Sequence, residues 1–176
     1  MKTRLCALGL WLMAFTSQAS AHQQTPDSCL LTPSISDVFK QMPDSLMPYL
    51  SQNNRLDFID FLDANMKAEV KNRLGGTSEM LGLSSDSLSI RMSSSLRTDL
   101  FLLPLSTPVD SVSDVVVMVE TFLADSIHGQ SHVSYFTTDW KKLSTAPPLS
   151  DIQQKRIQAC ILQTILKKDE EIVNKY

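Results

Sequence analysis

Residues 87–122 read SLSIRMSSSLRTDLFLLPLSTPVDSVSDVVVMVETF. Leu88, Ile90 and Met92 alternate with Ser87, Ser89, Arg91 and Ser93. A period of two puts one set of side chains in a core and the other in water, so this is a half-buried strand. Arg97–Leu103 is a second, more apolar strand, which Pro104, lacking the N–H a ladder needs, stops or marks as an edge. A loop through Pro108 follows. Val115–Phe122 is a β-branched run of central-strand character. Downstream, Ser131–Thr138 repeats the pattern, with Val133 and Tyr135 on one face and Phe136 on the other. Thr77–Leu83 can add a short strand upstream. The connections are short enough for antiparallel neighbours, giving a meander of four or five strands.

Helical signals flank the meander. Ser34 or Ser36 caps a short helix carrying Ile35, Val38 and Phe39, which Met42-Pro43 ends. Asp44-Ser45 caps a turn through Leu50. The strongest helical pattern covers Asn54 to Leu74, where Leu56, Ile59, Leu62, Met66 and Val70 recur at spacings of three and four. Gly75-Gly76 closes it, since glycine accepts the left-handed conformation of a helix stop. After Pro147-Pro148, Ser150 and Gln153 form a capping box for a last helix to about Lys168, with Ile157, Ile161 and Ile165 as its apolar line. The fold class is therefore α+β: N-terminal helices packed on an antiparallel meander, with a C-terminal helix adding cover.

The N-terminus reads as a secretory signal peptide. Lys2 and Arg4 form a basic start, Leu5–Phe15 an apolar run too short to span a bilayer, and Ala19-Ser20-Ala21 a cleavage pattern. The expected division is a signal over 1–21, a polar arm over 22–33 and one domain over 34–176, placed in the periplasm or outside the cell. A lipid anchor would need a cysteine just after the apolar run, whereas Cys6 lies at its beginning. Removing residues 1–21 takes away Lys2 and Arg4 and no acid, so 16 basic and 19 acidic side chains become 14 and 19, a formal charge of −5. With no Lys/Arg cluster, nucleic acid and anionic membrane surfaces are poor partners. No later apolar run approaches the length of a spanning helix.

Two cysteines remain, Cys29 and Cys160. An even number in an oxidising compartment invites a disulfide, worth about 4–5 kcal/mol in loop-entropy models for so long a loop. The alternative is two separate buried thiols.

Chemistry is sparse. There is no G-x-S-x-G elbow, no H-E-x-x-H, no EF-hand loop and no phosphate-cradling glycine loop, so no catalytic, metal or cofactor residues are assigned. Asp125, His128 and His132 are close in sequence but on a loop and a strand start, where convergence is not expected. A hydrolase built from Asp125, His128, His132 and Asp139 is an alternative reading, and a structural envelope role is another. Asp57, Asp60 and Asp63 repeat on one helix as its solvated face. Trp140, with Tyr135 and Phe136 nearby, forms either a binding surface for sugar or peptide or a core plug against a helix. The leading expectation is a non-enzymatic binding or envelope-accessory module whose partner is another envelope protein or a peptide. It would use a sheet face left open by the helices, or an exposed sheet edge.

Two stretches, MPDSLMPYLSQNNRLDFIDFLDANMKAEVKNRLGGTSEM at 42–80 and VVVMVETF through HVSYFTTDWKKL at 115–143, resemble a family of secreted proteins of Bacteroides-type bacteria, domain of unknown function 3256. The resemblance implies an extracytoplasmic α+β domain and brings no activity, cofactor or catalytic residue. It also implies a setting in which serines following aspartate and preceding an aliphatic residue are O-glycosylated. Ser45, Ser87, Ser111 and Ser126 fit that pattern, although Asp-Ser is equally a common turn pair.

Overall fold

The computed structural model describes residues 33–109, 112–124 and 128–173. The residues expected to form the signal and nearly all of the arm, with Cys29, and also Ser111, Asp125 and Ser126, lie outside the described residues.

Ser34 opens α1 (Ile35–Lys40): its hydroxyl accepts from Asp37 N–H, and the Asp37 carboxylate reaches back to the Ser34 N–H. A single 3-10 turn follows at Asp44–Leu46. Ser51 and Asn54 form the same reciprocal cap on α2 (Gln52–Asp63). The helix expected to reach Leu74 ends eleven residues earlier, at Asp63. Asn65 takes a left-handed φ of 54°, a conformation asparagine tolerates and most residues avoid. The backbone then extends into β1 (Glu69–Lys71), where Val70 is buried between exposed Glu69 and Lys71. Gly75, at φ 80°, turns the β1–β2 hairpin instead of closing a helix.

The remaining elements are β2 (Thr77–Leu83), β3 (Ser87–Arg91), β4 (Leu96–Val109), β5 (Val112–Leu123), β6 (Gly129–Thr137) and α3 (Asp151–Val173). The six strands form one antiparallel meander in sequence order, six rather than four or five. The additional strands are short β1 and Thr77–Leu83, which is a full member.

β4 also runs past Pro104, which pairs opposite Asp114 on β5. Pairing of β3 with β4 ends at Phe101, and the Leu102 N–H points to that same side, donating to Asp86 O. Two residues on, the missing N–H of Pro104 falls where there is no strand to receive it, so proline costs the ladder nothing.

The sheet has two cores. On one face Leu88, Ile90, Met92, Leu100, Leu102, Val116, Met118 and Phe136 pack with Ile35, Val38, Phe39, Leu50 and Phe58 of the N-terminal helices. On the other, Phe101, Leu103, Val115, Val117 and Val119 lie under Ile157, Cys160 and Ile161 of α3. The helix pins itself at its N-terminal end. Ser150 and Gln153 form the expected capping box, and Gln153 Nε2 donates to Pro104 O at 2.9 Å.

Candidate functional site

Among the described residues, those of the alternative hydrolase reading, His128, His132 and Asp139, form no cluster. His132 lies near the start of β6, on the face of the N-terminal helices, with Nε2 3.1 Å from Ser134 Oγ. Asp139 follows the far end of β6 and is exposed beside Lys141 Nζ at 3.1 Å. Five strand steps, roughly 17 Å, separate His132 from the end of β6 at Thr137, and Asp139 lies in the turn beyond. Lys141 is also what holds the Asp139 carboxyl below its ordinary range. His128 precedes β6 and is exposed, and Asp125 is outside the described residues. No His/Cys/Asp/Glu cluster able to hold a metal occurs among the described residues. Asp57, Asp60 and Asp63 all sit on the exposed face of α2.

Tyr135 and Trp140 do not share a surface. Trp140 belongs to the core under the N-terminal helices, 7% exposed, its ring tilted 55° against Phe136 at a centroid distance of 5.6 Å. Its indole N–H donates to Val38 O at 2.9 Å, and its φ of 62° shows a backbone bent to place it there. Tyr135 packs in the other core, under α3. Of the two readings of Trp140, the core position is the one this packing fits; Tyr135 faces α3 from β6, while the turn after β6 folds Trp140 back to the opposite face.

The aspartate-serine pairs fare unequally. Ser45 is exposed on the 3-10 turn, beside an Asp44 carboxylate that Arg55 and Arg73 hold at 3.0 and 2.5 Å. Those guanidiniums lower the Asp44 carboxyl. Ser87 is half-buried on β3, its hydroxyl bonded to Ser84 Oγ at 2.8 Å and accepting from Arg156 at 3.0 Å.

Two surfaces remain as candidates. The α3 face of the sheet is covered over β4–β6, which removes that part of it as a docking face. Toward β1–β3 it carries a row of charged pairs, Lys67 with Glu69 and Glu79, and Glu79 with Arg91 across β2 and β3, which Arg97 and Asp99 continue on β4. The second surface is the outer edge of β6. Here Tyr135 O accepts from Leu143 N–H and the Thr137 N–H donates to Lys141 O, both at 2.9 Å, so odd-numbered residues turn their backbone groups outward. The Lys141–Leu143 segment closes this edge only at Tyr135–Thr137. Among the described residues no strand pairs with the outward groups of Ser131 and Val133.

Sequence reading missed the polar ties. Arg97 clasps Asp99, 2% exposed, through Nε and Nη2 at 3.0–3.1 Å. Arg55, 1% exposed, donates from Nη1 to Asp44 at 3.0 Å and to Leu50 O at 3.3 Å, and from Nη2 to Met42 O. The one available signal was its position on α2, in line with Phe58, Ile59 and Leu62 where an apolar residue is expected.

With this geometry in place, comparison with known proteins is informative. A family described as "Protein of unknown function (DUF3256)" matches residues 29–175. The chain belongs to this family. A solved structure of a domain of an uncharacterized protein from Porphyromonas gingivalis W83 is similar to this DUF3256 chain at 25% identity and a TM-score of 0.51, over 74% of this chain and 69% of that one. No curated protein matches the sequence. The DUF3256 match covers the whole meander and both helical layers, and it assigns neither an activity nor a partner.

Proposed function

We propose that this DUF3256 chain is an extracytoplasmic binding or envelope-accessory module, not an enzyme, which takes an extended segment of another envelope protein or a peptide onto the edge of β6. The carrying observation is the half-open edge. Ser131 and Val133 present backbone donors and acceptors, while Lys141–Leu143 already occupies the adjoining stretch in strand-like fashion. A guest strand would extend that pairing, gaining main-chain hydrogen bonds for affinity and side-chain pockets for specificity. The signal-like residues 1–21 support the compartment.

The test uses Ser131→Pro. Its N–H faces outward, so proline leaves the β5 ladder intact and removes one donor from the edge. Ser131 Oγ also bonds the buried Thr121 Oγ1 at 2.9 Å, so Ser131→Ala is the control: partner binding lost with proline and kept with alanine supports the reading, and binding unchanged by proline overturns it. Ser45, exposed on its turn, is the best placed of the described serines for O-glycosylation in that compartment.

A further inference from the structure

The chain itself shows what the β6 edge accepts. Lys141–Leu143 lies antiparallel to it, with Lys142 opposite Phe136. The Leu143 N–H donates to Tyr135 O at 2.9 Å, and the Leu143 side chain packs against the second core, as Tyr135 and Val133 do. Lys142 is exposed. The edge thus takes an aliphatic side chain toward α3 and leaves the next, charged one in water. Continued in the same register, the segment would set Thr145 opposite Val133 and Pro147 opposite Ser131. The chain instead bends at Ser144–Thr145, and Pro147 has no N–H to give.

The flank of α3 overhangs these two positions. Successive helix residues turn by about 100°. Ile157 and Ile161 face the sheet, and Arg156 leaves the helix on the side of the β2–β3 turn, where it holds Asp86. Leu162 and Ile165 leave it on the other side, toward β6. Ile165 marks that direction: its Cγ1 lies 3.0 Å from where a Cβ on Gly129, the first residue of β6, would stand. Leu162, about one turn before, is 59% exposed. On the opposite face of β6 at this end, Gln130 and His132 are exposed.

We infer that the guest of the β6 edge is an extended segment with aliphatic residues at alternate positions. Its apolar side sits between Val133 and the Leu162–Ile165 flank of α3, and its polar side stays in water with Gln130 and His132. The inference rests on the edge-binding reading above and adds the chemistry of the guest. Leu143 sets the parity, since strand residues in phase with it face α3. A segment with apolar residues at helical spacing would turn some of them to water. A uniformly polar segment would gain the main-chain hydrogen bonds and leave Leu162 wet.

The test is fluorescence anisotropy of the purified chain with two labelled nonapeptides of equal charge. One has leucine at every second position between lysines and threonines, and the other has serine in place of each leucine. The leucine peptide should bind at least about tenfold more tightly, as burial of an aliphatic side chain allows. Leu162→Gln, at an exposed position, should remove most of that preference, and Ser131→Pro should weaken the leucine peptide by at least about tenfold. Equal affinity for the two peptides, or a leucine preference that persists in Leu162→Gln, would overturn the aliphatic guest and leave edge binding standing as long as Ser131→Pro abolishes it. Binding of neither peptide would overturn both readings. A peptide-free dimer that Ser131→Pro dissociates would give the edge to a second copy and overturn the peptide guest.

Discussion

Arg156 of α3 grips both carboxylate oxygens of Asp86 in the β2–β3 turn, at 2.5 and 2.9 Å. The same guanidinium lies 5.3 Å from the Phe101 ring centroid and donates to Ser87 Oγ. One side chain thereby fastens α3 to two strands. Its hydrogen bonds, aided by Ser84, pull the Asp86 carboxyl down to about 2. A folded value below the unfolded one stabilises above the ordinary carboxylate range and is lost as pH falls through the folded value. Both groups are partly exposed, so the contribution is at most about 1 kcal/mol. Urea midpoints for wild type and Asp86→Asn should differ at pH 7 and converge between about pH 4 and pH 2. A constant difference across that window would refute the linkage.

Trp140 is the sole tryptophan of residues 22–176, and it is buried. Its emission should be blue-shifted in the native protein and move red on unfolding. Trp140→Phe removes the bond to Val38 O and part of the packing against Phe136. It should cost about 1–3 kcal/mol by chemical denaturation.

Arg55 ties α2 to the carbonyls of Met42 and Leu50 and to Asp44. Arg55→Met keeps the volume but strips buried acceptors of their donor. A loss of about 2–4 kcal/mol is expected, with faster amide exchange in residues 42–50. Arg73→Met, on the exposed side of the same carboxylate, should cost less than about 1 kcal/mol.

Gly129 stands where β6 leaves the hairpin. A Cβ there would meet Ile165 Cγ1 at 3.0 Å, Leu123 Cδ2 at 3.2 Å and Phe122 O at 3.2 Å. Gly129→Val should destabilise by about 1–3 kcal/mol through overpacking. Ile165→Ala in the same chain should restore part of that loss, because the seam between α3 and the hairpin is where the clash falls.

The strands were legible where one face alone is wet, and where both faces are buried under a β-branched run. The alternation at Leu88–Met92 and the apolar run at Val115–Val119 both stand in the sheet as read. The end of α2 was not legible. Met66 and Val70 continue the three-and-four spacing by coincidence, and three-residue β1 is too short for a period of two to emerge. Whether Pro104 stops the strand or marks an edge could not be read locally, because it depends on where β3 ends, a tertiary fact. The polar ties were hidden for a related reason: Arg156 and Asp86 are 70 residues apart, beyond any local pattern. Tyr135 and Trp140 looked like neighbours in sequence, yet β6 points Tyr135 at α3 while the turn beyond it, with Trp140 at φ 62°, folds the indole into the other core.

The role of the β6 edge is tested most directly by photo-cross-linking in the native host, with a probe at exposed His132 and a control probe at Lys40 on α1. The expected result is a discrete adduct with one envelope protein or peptide from position 132, absent from position 40 and abolished by Ser131→Pro. No adduct at position 132, or protein recovered from the cytoplasm with residues 1–21 still attached, would contradict the reading of an extracytoplasmic edge-binding module.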